Sequence, residues 1–254
     1  MRCWRRAPVE LLVLLAIGAS GCVTQPALLL PTPPTLNADQ VQRGAFVFRD
    51  ARISPDGLRS CATCHPGGGS NGGVYRTGTE AEPGSRGARN VSALRGLWQT
   101  APYLWDGSLP DARSAIERML AVEMGGAALP TYDLDALEAY VLSFESFDRG
   151  RLEPDGTPVE PVTLAARRGA AVYLKAKCDE CHPAPAYFVP KRSDVGTGMS
   201  VDVPTLRGVP STPPYGHDGR WATLEEAVEA MLRARQVELS ERERTQLVEY
   251  LKLF

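Results

Sequence analysis

The chain has 254 residues, a formal charge of −2 at pH 7, and 23% charged residues against 43% apolar ones. That length suits one large domain or two small ones, with ordinary globular composition. No basic block and no interleaving of aromatic with basic residues is present, which excludes nucleic acid as a partner.

In chain order, the first element is a targeting segment. Arg2, Arg5 and Arg6 precede an apolar run at residues 11–17, LLVLLAI, too short to span a bilayer. Small residues then lead to a cysteine in GASGC. This is the pattern of a bacterial lipoprotein signal, in which residues 1–21 are removed and Cys22 is lipidated, although Ala19 stands where leucine is commoner. A plain secretory signal cleaved nearby is the alternative, and both export the chain. Residues 22–36 are Pro-rich, without helical or strand period, and read as a tether.

From residue 37 the pattern turns helical. LNADQVQRGAFVFRD opens on an N-cap-like Asn37 with apolar residues at helical spacing, and YDLDALEAYVLSF is an amphipathic helix. Between them lies a long Gly- and Pro-rich stretch, HPGGGSNGGVYRTGTEAEPGSRGARN. A Pro-rich acidic segment, RLEPDGTPVEPV, marks a boundary near residue 158. The order then repeats, with TLAARRGAAVYLKAK first and LSERERTQLVEYLKLF closing the chain.

Each half carries one demanding motif: Cys61, Cys64 and His65 in CATCH, and Cys178, Cys181 and His182 in CDECH. In an exported protein a bare CxxC is often a disulfide, and four cysteines suffice for a zinc site. Neither needs a histidine at the next position twice over. Covalent haem c attachment does, with thioethers to the macrocycle and the histidine as axial ligand. The pattern therefore predicts two haem c groups.

The halves are copies. With Val91 set on Val203, VSALRGLWQTAPYLWDGSLPDARSAIERML lies over VPTLRGVPSTPPYGHDGRWATLEEAVEAML without a gap, an offset of 112 residues. The expected architecture is all-α: two homologous c-type cytochrome domains, 37–157 and 158–254, with long Gly/Pro-rich loops and the haems near the domain interface. A second axial ligand is scarce. His217 is the one histidine outside the motifs, and Met119, Met124, Met199 and Met231 are the methionines beyond Met1. Met231 sits on the apolar stripe of TLEEAVEAM and reads equally as core or as ligand.

RGAFVFRDARISPDGLRSCATCH, RNVSALRGLWQTAPYLWDG, VPTLRGVPSTPPYGHDG and LSERERTQLVEYLKLF resemble the bacterial di-haem cytochrome c peroxidases and their MauG-like relatives across residues 37–254. The resemblance implies that His182 and Met231 hold a high-potential electron-transfer haem, Met231 falling fourteen residues after His217 as the family's methionine does. It implies that the haem on His65 reacts with peroxide and that Glu123, in AVEMGG, is the acid–base carboxylate, two residues short of the usual spacing from Trp105. Trp105 takes the place of the electron relay, and His217 that of a hydrogen-bonding partner near the haems. Asn90, Thr212 and Pro214 match a structural Ca²⁺ site, whose oxygen ligands suit that hard ion.

Two departures bear on activity. The histidine that caps the reactive iron in many resting peroxidases has no counterpart here, which leaves that iron open unless Met119, the repeat mate of Met231, or Met124 binds it. Met231 also stands where some MauG-like members carry tyrosine. The implied protein is a periplasmic, lipid-anchored peroxidase reducing hydrogen peroxide with electrons from a small soluble donor, a cytochrome c or cupredoxin. A non-enzymatic di-haem electron carrier and MauG-like oxidation of a partner protein are the alternatives.

Overall fold

A computed structural model describes residues 31–77, 87–147 and 150–254. Residues 1–30, on which the expected signal, Cys22 and most of the expected tether fall, lie outside the described residues; residues 31–37 have no regular structure.

The first half runs α1 (Ala38–Arg49), the single turn α2 (Cys61–Cys64), strands β1 (Val74–Thr77) and β2 (Gly87–Asn90), α3 (Ala112–Arg118) and α4 (Thr131–Leu142). The second runs α5 (Leu164–Lys175), strands β3 (Arg192–Ser193) and β4 (Val201–Asp202), α6 (Leu224–Ala234) and α7 (Glu241–Leu251). Helix starts follow local chemistry. Asn37 accepts from the amides of Asp39 and Gln40, and reciprocal capping boxes join Thr223 to Glu226 and Ser240 to Glu243.

Each half is built on one close helix pair, α1 against α4 and α5 against α7. Glycine permits the approach: a Cβ on Gly44 would lie 1.9 Å from the Ala136 carbonyl oxygen, and one on Gly169 2.0 Å from that of Gln246. Beside each glycine stands an aromatic trio, Phe48, Tyr140 and Phe144 in one half and Tyr173, Tyr250 and Phe254 in the other. These rings anchor two separate cores, one around Phe48 and Leu137, the other around Leu247 and Tyr250. The segment before residue 158 packs with the second: Leu152 lies against that core, and the buried Tyr250 hydroxyl donates to the Gly156 carbonyl at 2.7 Å.

The fold is mostly helical, but the all-α expectation misses two antiparallel ribbons. β1 pairs with β2 and β3 with β4, at the same place in each half. They form inside stretches read as loops because four-residue and two-residue strands are too short to show alternation.

The ribbons carry the two halves onto each other. The Asn90 amide donates to the His217 carbonyl at 2.9 Å, and the Asp202 amide donates to the Trp105 carbonyl at 2.9 Å. Asn90 and Asp202 differ by the repeat offset, as do Trp105 and His217. The seam therefore has an approximate two-fold relation between its halves.

Candidate functional site

The first motif sits on α2, where the Thr63 hydroxyl oxygen accepts from the Ser60 amide and the chain breaks at His65. The second occupies a 3₁₀ turn, with the His182 amide donating to the Cys178 carbonyl at 2.8 Å. All four thiols are free and partly buried. Among the described residues no group of three or more His, Cys, Asp or Glu gathers as a metal-ligand set, so the cysteines do not form one zinc site. Burial pushes the Cys61 thiol up to about 11 and Cys178 to about 12.

Both motif histidines are buried, and burial lowers their pKa, against nearby backbone at Gly69 and Ser92 for His65 and at Tyr187 and Pro204 for His182. They are thus neutral imidazoles, the form that ligates a metal. His182 Nδ1 faces the Tyr187 carbonyl at 3.0 Å, which places the proton on Nδ1 and leaves Nε2 as the donor atom. The Tyr173 hydroxyl donates to the His182 carbonyl and fixes the backbone beneath. His65 Nδ1 is buried without a partner of hydrogen-bond geometry. The donor sets fit two haem c groups, and the two histidines are held differently.

Met231 lies half-buried on α6 between buried Ala230 and Leu232. Its repeat mate Met119 is 37% exposed. There α3 gives way to a π-turn, Met119–Glu123, closed by Met124 N–H donating to the Met119 carbonyl at 3.0 Å. Met124 is half-buried against the Phe48–Leu137 core, which Cys61 also borders. Glu123, on the same turn, lies 3.6 Å from the Arg118 guanidinium, and both side chains are largely covered.

The seam gathers the rest. The Trp105 and His217 rings are 6.3 Å apart and inclined at 32°. His217 is buried, which lowers its pKa and keeps it neutral, with Asp218 as an opposing charge at 3.9 Å. Arg89, on β2, stacks its guanidinium 3.9 Å from the centroid of the Trp105 ring. Burial lowers its pKa, and the charges of Asp218, Asp106 and Glu123 oppose that shift. Sequence reasoning passed over Arg89, although it stands in a quoted segment.

Of the residues matched to calcium, Asn90 donates through Nδ2 to the Pro214 carbonyl across the seam, and its Oδ1 is buried without a partner. The Thr212 hydroxyl donates to the Val209 carbonyl at 3.2 Å, which leaves the lone pairs of its oxygen for an ion. Asp202 Oδ1, at the repeat-related place, is also buried and unpartnered.

A mostly helical, duplicated chain bearing a CxxCH motif in each half, with a tryptophan and a histidine facing across the seam, is consistent with the two-centre c-type cytochromes. Comparison with known proteins narrows this. Residues 38–153 match the family model described as di-haem cytochrome c peroxidase. The chain is 28% identical over 274 aligned positions to the cytochrome c551 peroxidase of Nitrosomonas europaea, covering 85% of this chain and 80% of that one. It is 27% identical over 288 positions to the methylamine utilization protein MauG of Methylorubrum extorquens, covering 87% and 80%. A hydrazine synthase chain of Kuenenia stuttgartiensis shares the fold, with a TM-score of 0.70 at 20% identity over 98% of this chain and 100% of that one. The first half of the chain thus carries the pattern of the di-haem cytochrome c peroxidases, and both relatives support an enzyme of the peroxidase-like oxidoreductase type. Members of this family bind two c-type haems.

Proposed function

We propose that this chain is an exported di-haem cytochrome c peroxidase, reducing hydrogen peroxide to two waters with two protons and two electrons from a small soluble donor, a cytochrome c or cupredoxin. Cys61, Cys64 and His65 hold the peroxide-reactive haem; Cys178, Cys181, His182 and Met231 hold the electron-accepting one. When bound, these groups supply one-electron redox chemistry and the metal at which the O–O bond breaks. The chain's own side chains do the rest. Glu123, steadied by Arg118, carries the proton to and from the peroxide oxygens at its carboxylate. Trp105 bridges the seam between the halves, and neutral His217 packs across from it.

The observation that carries this reading is the stack of Arg89 on Trp105 with His217 facing it across one seam, an electron bridge whose guanidinium also feels the charge of Glu123. Resting-state electron paramagnetic resonance with peroxide turnover tests it. One high-spin ferric centre with turnover is expected, and Glu123→Gln should lower the rate by roughly 10²-fold. Two low-spin centres with no turnover, even after partial reduction, would exclude the enzyme.

A second reading, a di-haem electron carrier, requires Met119 or Met124 to bind the first haem, and Met124 packs on the same core that Cys61 borders. The same spectrum decides between them. A Ca²⁺ at Asn90, Thr212 and Pro214 is supported by the buried, unpartnered Asn90 Oδ1 beside the Pro214 carbonyl. Anchoring through Cys22 places the enzyme at a periplasmic membrane surface. Among the described residues no helix is long and apolar enough to cross a membrane. Loss of membrane association in Cys22→Ser supports the anchor, and its retention refutes it.

A further inference from the structure

The proposed reaction leaves one buried group on the seam without a task. Arg89 is 7% exposed and holds its guanidinium 3.9 Å from the Trp105 ring centroid. Its Nη1 donates to the Ala88 carbonyl at 2.9 Å, and its backbone pairs with Tyr75 across the ribbon, so the stack is built from the strand outward. Trp105 is fixed in turn by the Asp202 amide on its carbonyl.

An arginine stays protonated in proteins, and its planar fork lies flat on a ring as a lysine ammonium does not. The attraction depends on the electron-rich face of the indole. Remove one electron from that ring and two positive charges oppose each other at about 4 Å, in partly desolvated surroundings where Coulomb repulsion is several-fold stronger than in water. Asp106, Asp218 and Glu123 moderate this, since all three act on the guanidinium.

We infer that Arg89 is a positioning residue that fixes Trp105 as the bridge across the seam and resists oxidation of its ring, so that the oxidising equivalents peroxide delivers are consumed by electrons from the soluble donor instead of reaching a partner protein. This rests on the reading of Trp105 as the link between the halves. In the step Arg89 opposes, the indole gives one electron to a one-electron oxidant and becomes a radical cation. Loss of the Nε1 proton to water then leaves the neutral radical, and the oxidant is reduced by one electron.

The test uses the haem-loaded protein and azide radical from pulse radiolysis as the oxidant. The readout is the ratio of Trp105-centred radical to radical on other aromatic side chains after equilibration, with Trp105→Phe removing the background from Trp98 and Trp221. Arg89→Gln and Arg89→Met should raise that ratio at least tenfold, whereas Arg89→Lys, which keeps the charge, should stay within about threefold of the parent. A ratio unchanged in the neutral variants at near-parental melting temperature overturns the inference, and so does a tenfold rise in Arg89→Lys. A protein inert to peroxide would remove the proposed reaction and still leave this ratio readable, because azide radical does not depend on it.

Discussion

Replacing Asp202 by asparagine probes the seam through its own symmetry. At the related position Asn90 donates an amide hydrogen to the Pro214 carbonyl, whereas an ionised Asp202 has nothing to donate. Its Oδ1 is buried and unpartnered, facing the Gly107 turn, where a Cβ would lie 3.2 Å from that oxygen. Burial, aided by the neighbouring charge of Asp106, pushes the carboxyl up to about 7 from 3.8. The folded pKa of this acid lies above the unfolded one, so the fold favours the protonated form. The resulting stability is fully present below about pH 4 and is lost as pH rises to about 7. For a fully buried group the loss would be about 4 kcal/mol. Asp202 is only partly buried, and solvent screening reduces this to about 1–2 kcal/mol. Asp202→Asn should therefore match the parent near pH 4 and exceed it by that amount above pH 7, or roughly 3–6 °C in melting temperature for a chain of this size. Thermal or urea unfolding of the haem-loaded proteins from pH 4 to 9 gives the difference directly. Parallel curves across that range would refute the placement of an unsatisfied carboxyl at the seam.

Three further outcomes follow from the geometry. Gly44→Ala and Gly169→Ala each force a helix pair apart against backbone carbonyls and should cost about 1–3 kcal/mol, lowering the melting temperature by roughly 3–10 °C; a change under one degree would mean that the helices do not approach so closely. Met231→Ala should abolish the methionine-ligated spectrum of one haem and leave the other intact, and two unaltered spectra would remove the ligand assignment. Chelation by EDTA should lower both melting temperature and peroxide turnover if an ion is held at Asn90 and Pro214, and identical values before and after would dismiss the calcium.

Much of this was legible because it is local. Asn37, Thr223 and Ser240 announce their helices through side chains that reach only two or three residues ahead, and CxxCH needs no fold to be read. The repeat was visible from Val91 onward, but one step upstream it pairs Asn90 with Asp202, an unlike pair that similarity alone passes over. The ribbons were hidden by their brevity. Arg89 was hidden for another reason: its role exists only where two segments from different parts of the chain meet. The π-turn at Met119–Glu123 was likewise invisible to a 3.6-residue period, yet it decides where Glu123 stands.

That unlike pairing bears on the two tasks proposed for one duplicated fold. A symmetric seam would give both centres the same neighbours and no reason to differ. Here several symmetry-related pairs have diverged while Asp106 and Asp218 stay alike: Trp105 faces His217, Asn90 answers Asp202, exposed Met119 answers half-buried Met231, and His65 Nδ1 lacks the hydrogen bond that His182 Nδ1 makes. The divergence preserves the backbone. The amides of Asn90 and Asp202 make the same bond at the same length, so the halves remain docked while the side chains they present change freely. A backbone-held seam of this kind can be made chemically lopsided without loosening, and a difference in potential between two tethered haems requires that lopsidedness.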